Sequence, residues 1–385
     1  MVLRQAAAMR LIIVTSTLYF VFFGAKSTRR NRAVVNTTHA VRMALDIKEG
    51  FVTNGVHPKE DEEPFWVAVV PHARLGNQMY QHASSLGAML SVNDRPARLC
   101  YHTRIDSDQY TDRVDRIKGY FEGPFTGKCP SDVEFANTPR YLRYEEEGPG
   151  IFTPLNLTNA QFEGKAGIVF IRAYLQSFKY FEHIFPLVRK MFIAKPETRR
   201  GAQDHLKRVV EKAAPNGAKR VVGIHVRRGD QVLDDTTHHS PLRFPPDTFF
   251  EAAMSHFKEK YGTENVVFVV ASDDLDWSRR QKVFQRQYVG FSVFSEHIQD
   301  KDLSSVLEMT LLADCDDIIT SIGSFGIWGG FLSGGEVVFY RDVFNPSVRG
   351  QYRLEDVFPP NWLSIGDDDL EKYTVGTLKE AQRKT

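Results

Sequence analysis

Val221-Val222-Gly223-Ile224-His225-Val226-Arg227-Arg228-Gly229-Asp230 is an apolar run that stops abruptly at two arginines and an aspartate. A strand of this kind is buried on both faces, so its end is where side chains emerge into a crevice. Two adjacent arginines there need a reason not to repel each other. A diphosphate supplies one, because guanidinium forks match phosphate oxygens bidentately and stay charged at any relevant pH. Read alone, the pair equally describes surface arginines closing a strand, one of them salt-bridged to Asp230.

The sequence around this run alternates strand and helix. Strands are expected over 221–226, 266–271, 317–320 and 336–340, and helices over 247–261, 275–287 and 304–315, with a glycine-rich turn and short helix around 324–332. Continuous apolar strands alternating with helices argue a parallel sheet covered on both faces. Ligands of such sheets bind beyond the carboxyl ends of the strands. Three polar clusters fall at three of those ends: His225 with Arg227, Arg228 and Asp230; Ser272, Asp273 and Asp274; and Ser321 to Phe325. Together they make a site, although each alone is ordinary.

The preceding half opens with a short apolar strand over 66–70. Arg74-Leu75-Gly76-Asn77-Gln78-Met79 follows, and then a helical pattern through Tyr80, Ala83, Leu86, Gly87 and Leu90. Strand, glycine-bearing turn and helix form the opening unit of an α/β domain. A second apolar run over 168–171 leads to Tyr174-Leu175-Gln176-Ser177, a helical region over 181–192 and a charged, helix-prone stretch over 194–218, where Pro215-Asn216-Gly217 marks a domain boundary. The fold class is therefore α/β, with an N-terminal domain over 64–217, a C-terminal domain over 218–345 and a C-terminal tail over 346–385.

The 385 residues carry 49 basic against 48 acidic side chains, which excludes the charge footprint of a nucleic-acid binder. Three cysteines are too few for a disulfide scaffold and lack metal-site spacing. In an oxidising compartment Cys100 could pair with Cys129, leaving Cys315 as a small core residue. An uncharged apolar run over 11–25 follows a short tail over 1–10. It spans roughly 22 Å as a helix, which suits a signal peptide or a short signal anchor. Phe23, two residues before Ala25, breaks the small-residue cleavage pattern and favours the anchor. A stem over 26–63 would join it to the body, and the sequons at Asn36 and Asn156 agree with a lumenal setting.

Among the motifs, Ser324-Phe325-Gly326-Ile327-Trp328-Gly329-Gly330 follows a strand and opens a helix, so a hydroxyl and backbone amides could hold phosphate oxygens. The same stretch also reads as a tight turn with Phe325 and Trp328 in the core. The lysine of a P-loop and the glycine order of a nicotinamide- or flavin-binding turn are both missing. Ser272 and Asp273 could bond sugar hydroxyls or cap the next helix. Asn77 and Gln78 offer donor–acceptor amides suited to sugar or phosphate, and Asn77 also suits an N-cap. His238 and His239 have no further ligands at helical spacing, so no metal site is expected.

These motifs, in this order, resemble the α-1,2-fucosyltransferases, Golgi enzymes that use GDP-fucose. The resemblance rests on His225 to Asp230, on Arg74 to Gln78, on Tyr174-Leu175-Gln176-Ser177-Phe178-Lys179-Tyr180-Phe181, and on the stretch 311–340 with Ile322-Gly323-Ser324-Phe325-Gly326 and Gly334-Gly335. It implies a GT-B-like architecture, with two α/β domains facing across a cleft and the C-terminal one binding the nucleotide sugar. Arg227 and Arg228 would clamp the diphosphate. Ser272, Asp273, Ser324 and Phe325 would line the nucleotide pocket, and Arg74, Asn77, Gln78 and Gln176 would approach from the first domain. Arg228, Asp230 and His225 are the catalytic candidates. The implied reaction is inverting, needs no metal or other cofactor, and moves L-fucose from GDP-fucose to the 2-hydroxyl of a galactose-terminated glycan. The alternatives are transfer to a protein hydroxyl or core N-glycan, or a non-catalytic lumenal sugar-nucleotide binder. The chain departs from the family at Ala73, usually glycine, at Gln231, usually aromatic, and over 232–243; these bear on acceptor choice more than on donor binding.

Overall fold

A computed structural model describes residues 47–48, 51–56, 64–92, 95–101, 119–123, 125, 129, 141–144, 146–155, 168–171, 173–228 and 242–373. Two six-stranded sheets carry these residues. The first contains β1 (Ile47–Lys48), β2 (Phe51–Thr53), β3 (Phe65–Val69), β4 (Ala97–Tyr101), β5 (Tyr141–Tyr144) and β6 (Ile168–Ile171), in the order β1-β2-β4-β3-β6-β5. β3, β4, β5 and β6 are parallel to their neighbours in that group, whereas β2 pairs antiparallel with β4 and β1 antiparallel with β2. β3 runs into α1 (Leu75–Leu90), in which every residue except Asn77 is buried. A helix covered all round lies between layers rather than on a surface.

The second sheet is wholly parallel. After α2 (Phe185–Met191) and α3 (Pro196–Ala213) come β7 (Arg220–Val226), α4 (Asp247–Tyr261), β8 (Val266–Ser272), α5 (Leu275–Arg280), β9 (Val289–Phe291), α6 (Lys301–Ala313), β10 (Asp317–Thr320), α7 (Gly323–Ser333), β11 (Val337–Tyr340), α8 (Leu354–Val357) and β12 (Leu363–Ile365). Their order is β12-β11-β10-β7-β8-β9. Read from β9, the chain steps inward to β7, jumps to β10 and steps outward again. That is the doubly wound arrangement, whose winding reverses between the first strand and the fourth, here β7 and β10. The strand that opened the sequence reading thus lies beside the reversal, with all seven residues of β8 buried next to it.

Four expectations need correction. The segment 26–63 is not a stem throughout, because β1 and β2 extend the first sheet; Asn54 pins them by donating to Val92 O and Arg95 O, both at 2.8 Å. Runs of two and three residues are too short to show a period in the sequence. The segment 346–385 is not simply a tail, because β12 pairs with β11 and Asp356 is buried. Residues 215–217 do not separate the halves, since Ala202, Leu206 and Val209 of α3 pack on Val269, Ala271, Leu307 and Leu311 of the second sheet and α6. The helix expected over 275–287 stops at Arg280, and the chain then turns to form the edge strand β9.

The halves share one apolar core. Trp328 of α7, fully buried, sits at its centre. Its ring lies 5.2 Å from Tyr80, 5.5 Å from Phe181, 5.1 Å from Phe192 and 5.4 Å from Phe331. The described residues fall within one compact unit, Thr37–Thr385. Among them no helix is long and apolar enough to cross a membrane. The run 11–25, both sequons, and Asp230, Gln231, His238 and His239 lie outside the described residues.

Candidate functional site

Beyond the carboxyl ends of β7 and β10 opens a cleft of about 870 Å³ walled by both halves. His225, the penultimate residue of β7, is buried, and its ring stacks on Phe325 at 5.3 Å. Burial, helped by the neighbouring Arg227, pushes its pKa down to about 3. An imidazole with so little affinity for protons is neutral and cannot take one from a sugar hydroxyl at neutral pH. Desolvation therefore works against the role of base that the sequence offered for His225. Its Nδ1 and Thr320 Oγ1 are buried without partners, both facing Gly326, where an added Cβ would lie 2.4 Å from one and 2.1 Å from the other. Only glycine lets α7 pass so close.

The two arginines part company at the strand end. Arg227 lines the cleft, with its N–H donating to Ser321 Oγ at 3.0 Å and Nη1 3.3 Å from Asp273 Oδ2. Among the described residues, Arg228 is not part of that lining. Its guanidinium lies 4.1 Å over the Trp277 ring and 5.1 Å over Phe244, while its N–H donates to Asp273 Oδ1 at 2.7 Å. Asp273 serves both residues, its Oδ2 beside the Arg227 guanidinium and its Oδ1 on the Arg228 backbone N–H, while the Arg228 charge rests on aromatic rings. Among the described residues Arg227 thus pairs with Asp273 of the β8 end. Asp273 does not cap α5; Asp274 does, accepting from Trp277 N at 2.9 Å, and Ser272 Oγ accepts from Asp274 N.

Two helices lie side by side with both N-termini at the cleft. α1 follows Arg74 and α7 follows Ile322, and neither has a side-chain cap. Their first-turn N–H groups have no intrahelical partners, and their dipoles place partial positive charge at the same spot. Contact is close: a Cβ on Gly76 would lie 2.8 Å from Phe325 N and 2.9 Å from Ser324 C. Gly323 turns the chain into α7 with φ at 84°. Asn77 bridges the junction, its Oδ1 accepting from Ser324 Oγ at 2.6 Å and from Gln176 Nε2 at 2.8 Å. The Ser324 hydroxyl proton is therefore committed to Asn77, and the donors α7 offers a ligand are backbone amides. Arg74 also lines the cleft.

Gln78 does not reach the cleft. It is fully buried, and its Nε2 donates to Ala73 O at 3.0 Å. Ala73 itself has φ at 62°. This left-handed conformation, which costs an alanine about 1–2 kcal/mol, gives a physical reason for glycine at this position. Leu175 is the other non-glycine residue with positive φ among the described residues, at 51°. Glu146 holds it there, accepting from Tyr174 N at 2.8 Å and Leu175 N at 2.9 Å, while Ser84 donates to Leu175 O. Strain held by surrounding bonds at this point fixes Tyr174 and Gln176 beside the cleft.

Two features escaped the sequence reading. Glu308, on α6, is buried yet lines the cleft, and burial pushes its pKa up to about 8. Ser292 and the N–H groups of Phe294 and Ser295 pull it back only in part, because none closes to a hydrogen bond with either oxygen. An acidic residue inside the apolar helical run 303–312 was the available signal. The second feature is Asp356, which accepts from Lys179 Nζ at 2.6 Å and Phe152 N at 2.9 Å, while Ser177 Oγ donates to its carbonyl at 2.6 Å. Ser177 and Lys179 thus clamp the C-terminal segment. Cys100 and Cys129 are joined by a disulfide, and Cys315 is buried. Among the described residues no cluster of three His, Cys, Asp or Glu side chains is placed to hold a metal ion.

Residues 166–366, just over half of the chain, match the pattern of glycosyl transferase family 11. The chain belongs to glycosyl transferase family 11. It is 29% identical over 216 residues to the Mus musculus protein named galactoside 2-alpha-L-fucosyltransferase Sec1, covering 53% of each chain. It is 28% identical over 317 residues to galactoside alpha-(1,2)-fucosyltransferase 1 of Ateles belzebuth, covering 80% of this chain and 76% of that one. The chain therefore spans about half the length of the first relative and about three quarters of the second. Solved structures match more loosely. NodZ alpha-1,6-fucosyltransferase co-crystallised with GDP gives 15% identity and a TM-score of 0.42, covering 69% of this chain and 92% of that one. A mutant of Arabidopsis thaliana FUT1 in complex with GDP gives 17% and 0.43, covering 73% and 71%. Overlaps this loose carry no argument about the site. The family 11 match includes Arg227, Asp273, Glu308 and α7 but not the Arg74–Gln78 turn, so the family pattern is centred on the second sheet.

Proposed function

We propose that this protein transfers L-fucose from GDP-fucose to the 2-hydroxyl of a terminal galactose, with inversion, in a GT-B-like cleft. The observation that carries the reading is the convergence of Arg227 with the uncapped N-termini of α1 and α7 at the reversal of the doubly wound sheet, in a family 11 chain. Such a place suits a diphosphate. The bond from fucose C1 to the β-phosphate oxygen breaks and its electron pair leaves with GDP. The galactose O2 forms the new bond to C1 from the opposite face, and its proton passes to a base. Charge growing on the leaving diphosphate is met by Arg227 and the α7 amides, without a metal ion or other cofactor. Pairing to Asp273 holds the Arg227 fork in place before the donor arrives.

Glu308 gives the base specificity. Guanine presents two adjacent donors, N1–H and the 2-amino group, which match the two oxygens of one ionised carboxylate, so GDP binding releases the proton that Glu308 holds in the empty cleft; adenine offers no such pair. Glu308→Gln should weaken GDP binding by about tenfold or more, since an amide sets a donor against one of guanine's own. Calorimetric titration with GDP and ADP checks this, and unchanged discrimination would remove Glu308 from the reading. A pH effect follows. An acid whose folded pKa is raised holds its proton in the folded state after the unfolded chain has lost it, so stability falls as pH rises between 4.5 and about 8. The buried His82 and His225, whose folded pKa values are lowered, act in the opposite sense below about 6.5, so the test is a difference: over that window the Tm of the ligand-free Glu308→Gln protein should fall less, or rise more, with pH than that of wild type.

The run 11–25 would anchor the protein as a single-pass type II protein of the Golgi membrane, with a lumenal body carrying glycans at Asn36 and Asn156. The direct test incubates the full-length protein with GDP-fucose and glycans ending in galactose, glucose or N-acetylglucosamine, and determines the linkage formed. Fucose α-1,2-linked to galactose is expected. No GDP release with any galactoside, or fucose found only on a protein hydroxyl or an N-glycan core, would overturn the reading.

A further inference from the structure

The two ends of the cleft differ in chemistry. Past β8 its wall is polar, with Ser295, Lys301, Asp302, Ser304 and Glu308. Past β11 it is aromatic, with Phe344 and Tyr352, and Tyr174 meets them from the first half. The diphosphate cradle of Arg227 and α7 lies between, at β7 and β10. A nucleotide whose base sits at Glu308 and whose phosphates sit at the cradle directs its sugar toward the aromatic end.

That end is rigidly built. Phe344 and Tyr352 stack with ring centres 4.4 Å apart and planes 16° off parallel. Tyr352 is bridged through its backbone to Gly150, where an added Cβ would lie 2.3 Å from the Tyr352 ring. Tyr174 rests on His72, with centres 4.8 Å apart, and its backbone is fixed by Glu146. Tyr352 and Tyr174 line the same end of the cleft, and burial, with Tyr174 and Glu146 adding to it, raises the Tyr352 phenol to about 12. The Glu146 carboxylate is occupied by the N–H groups of Tyr174 and Leu175. The wall therefore offers ring faces, ring edges and phenol hydroxyls.

We propose that this aromatic end is the acceptor-sugar subsite, where the C3–H, C4–H and C5–H side of a galactose ring lies against Tyr174, with Phe344 and Tyr352 closing the far wall. The inference rests on the fucosyl-transfer reading above. The chemistry selects galactose because its axial 4-hydroxyl leaves those three C–H groups contiguous on one side. In glucose C4–H lies on the opposite side, and the patch is interrupted. An aromatic face takes an apolar patch of this kind, with a few polar groups fixing its orientation. Stacking through C3 to C5 leaves the equatorial 2-hydroxyl at the ring perimeter.

The test compares wild type, Tyr174→Phe and Tyr174→Ala, using lactose and N-acetyllactosamine as acceptors, cellobiose as the glucose-terminated control and GDP as the donor-site probe. Tyr174→Ala should raise the KM for both galactosides by about tenfold, the size of one lost aromatic contact. It should narrow the preference over cellobiose and leave GDP affinity within about twofold, whereas Tyr174→Phe keeps the wild-type KM within about threefold. Three results overturn the subsite: an unchanged galactoside KM in Tyr174→Ala, a loss of GDP affinity equal to the loss for acceptor, or a phenylalanine variant as poor as alanine. Failure of wild type to fucosylate any galactoside overturns the functional reading itself, and this inference with it. Wild-type transfer with an unperturbed Tyr174→Ala KM sinks only the inference.

Discussion

Arg227→Lys is expected to lower kcat/KM for fucosyl transfer by about 10² to 10³, the loss seen when one donor to a developing oxyanion is removed. The charge survives the change but the planar fork does not, so one diphosphate oxygen and the Asp273 carboxylate can no longer be met together. The loss should fall on kcat as well as on KM, because the interaction strengthens while the phosphate leaves. Circular dichroism and thermal melting should stay near wild type, since Arg227 spans the cleft wall rather than the core. Arg228→Lys gives the contrasting result. Its guanidinium is sandwiched by Trp277 and Phe244, so the expected signature is a lower melting temperature with a smaller loss of turnover. Near-wild-type turnover in Arg227→Lys would remove the diphosphate role from this strand end.

Trp328→Ala carries the largest expected cost in stability, about 3–5 kcal/mol, in line with truncation of a fully buried large aromatic. The effect should not stay local. The indole packs on Tyr80 and Phe181 of the first half and on Phe331 of its own helix, so its removal loosens the register of α7 against α1. Since Gly76 and Ser324 meet at that junction, GDP affinity should fall together with stability. Trp328→Phe, which keeps an aromatic ring, should recover part of both. Denaturant midpoints with and without GDP check this, and a change below about 1 kcal/mol would mean that the halves are held elsewhere.

The second sheet was largely legible in the sequence because its strands are continuous apolar runs separated by amphipathic helices. β10 and α4 keep the bounds the pattern predicts. Edge strands were not legible: β9, β12 and the pair β1–β2 are two or three residues long and draw their stability from neighbours, not from a period of their own. Arg227, Asn77, Gln176 and Phe325 could be named as cleft residues because polar groups at strand ends and helix starts are unusual. What the sequence could not apportion was the work of adjacent residues. Arg227 and Arg228 differ by one position and point to different surroundings, Asn77 lines the cleft while Gln78 is buried, and Asp273 pairs while Asp274 caps. Glu308 was hidden because a single acid in a helix normally faces water.

The Asp356 clamp bears on how the chain acquires its structure. The loop that carries Tyr174 and Gln176 belongs to the half synthesised first. Yet Ser177, Lys179 and Phe152 find their partner only at Asp356, and β11 gains its outer neighbour only at β12. Domains usually fold one by one as they leave the ribosome. Here neither half is complete until the stretch 356–365 has emerged. A nascent chain therefore leaves Phe152, Ser177 and Lys179 without this partner through about 177 residues of further synthesis, counted from Lys179 to Asp356. Fusions and epitope tags are accordingly better placed ahead of Ile47 than within 354–365.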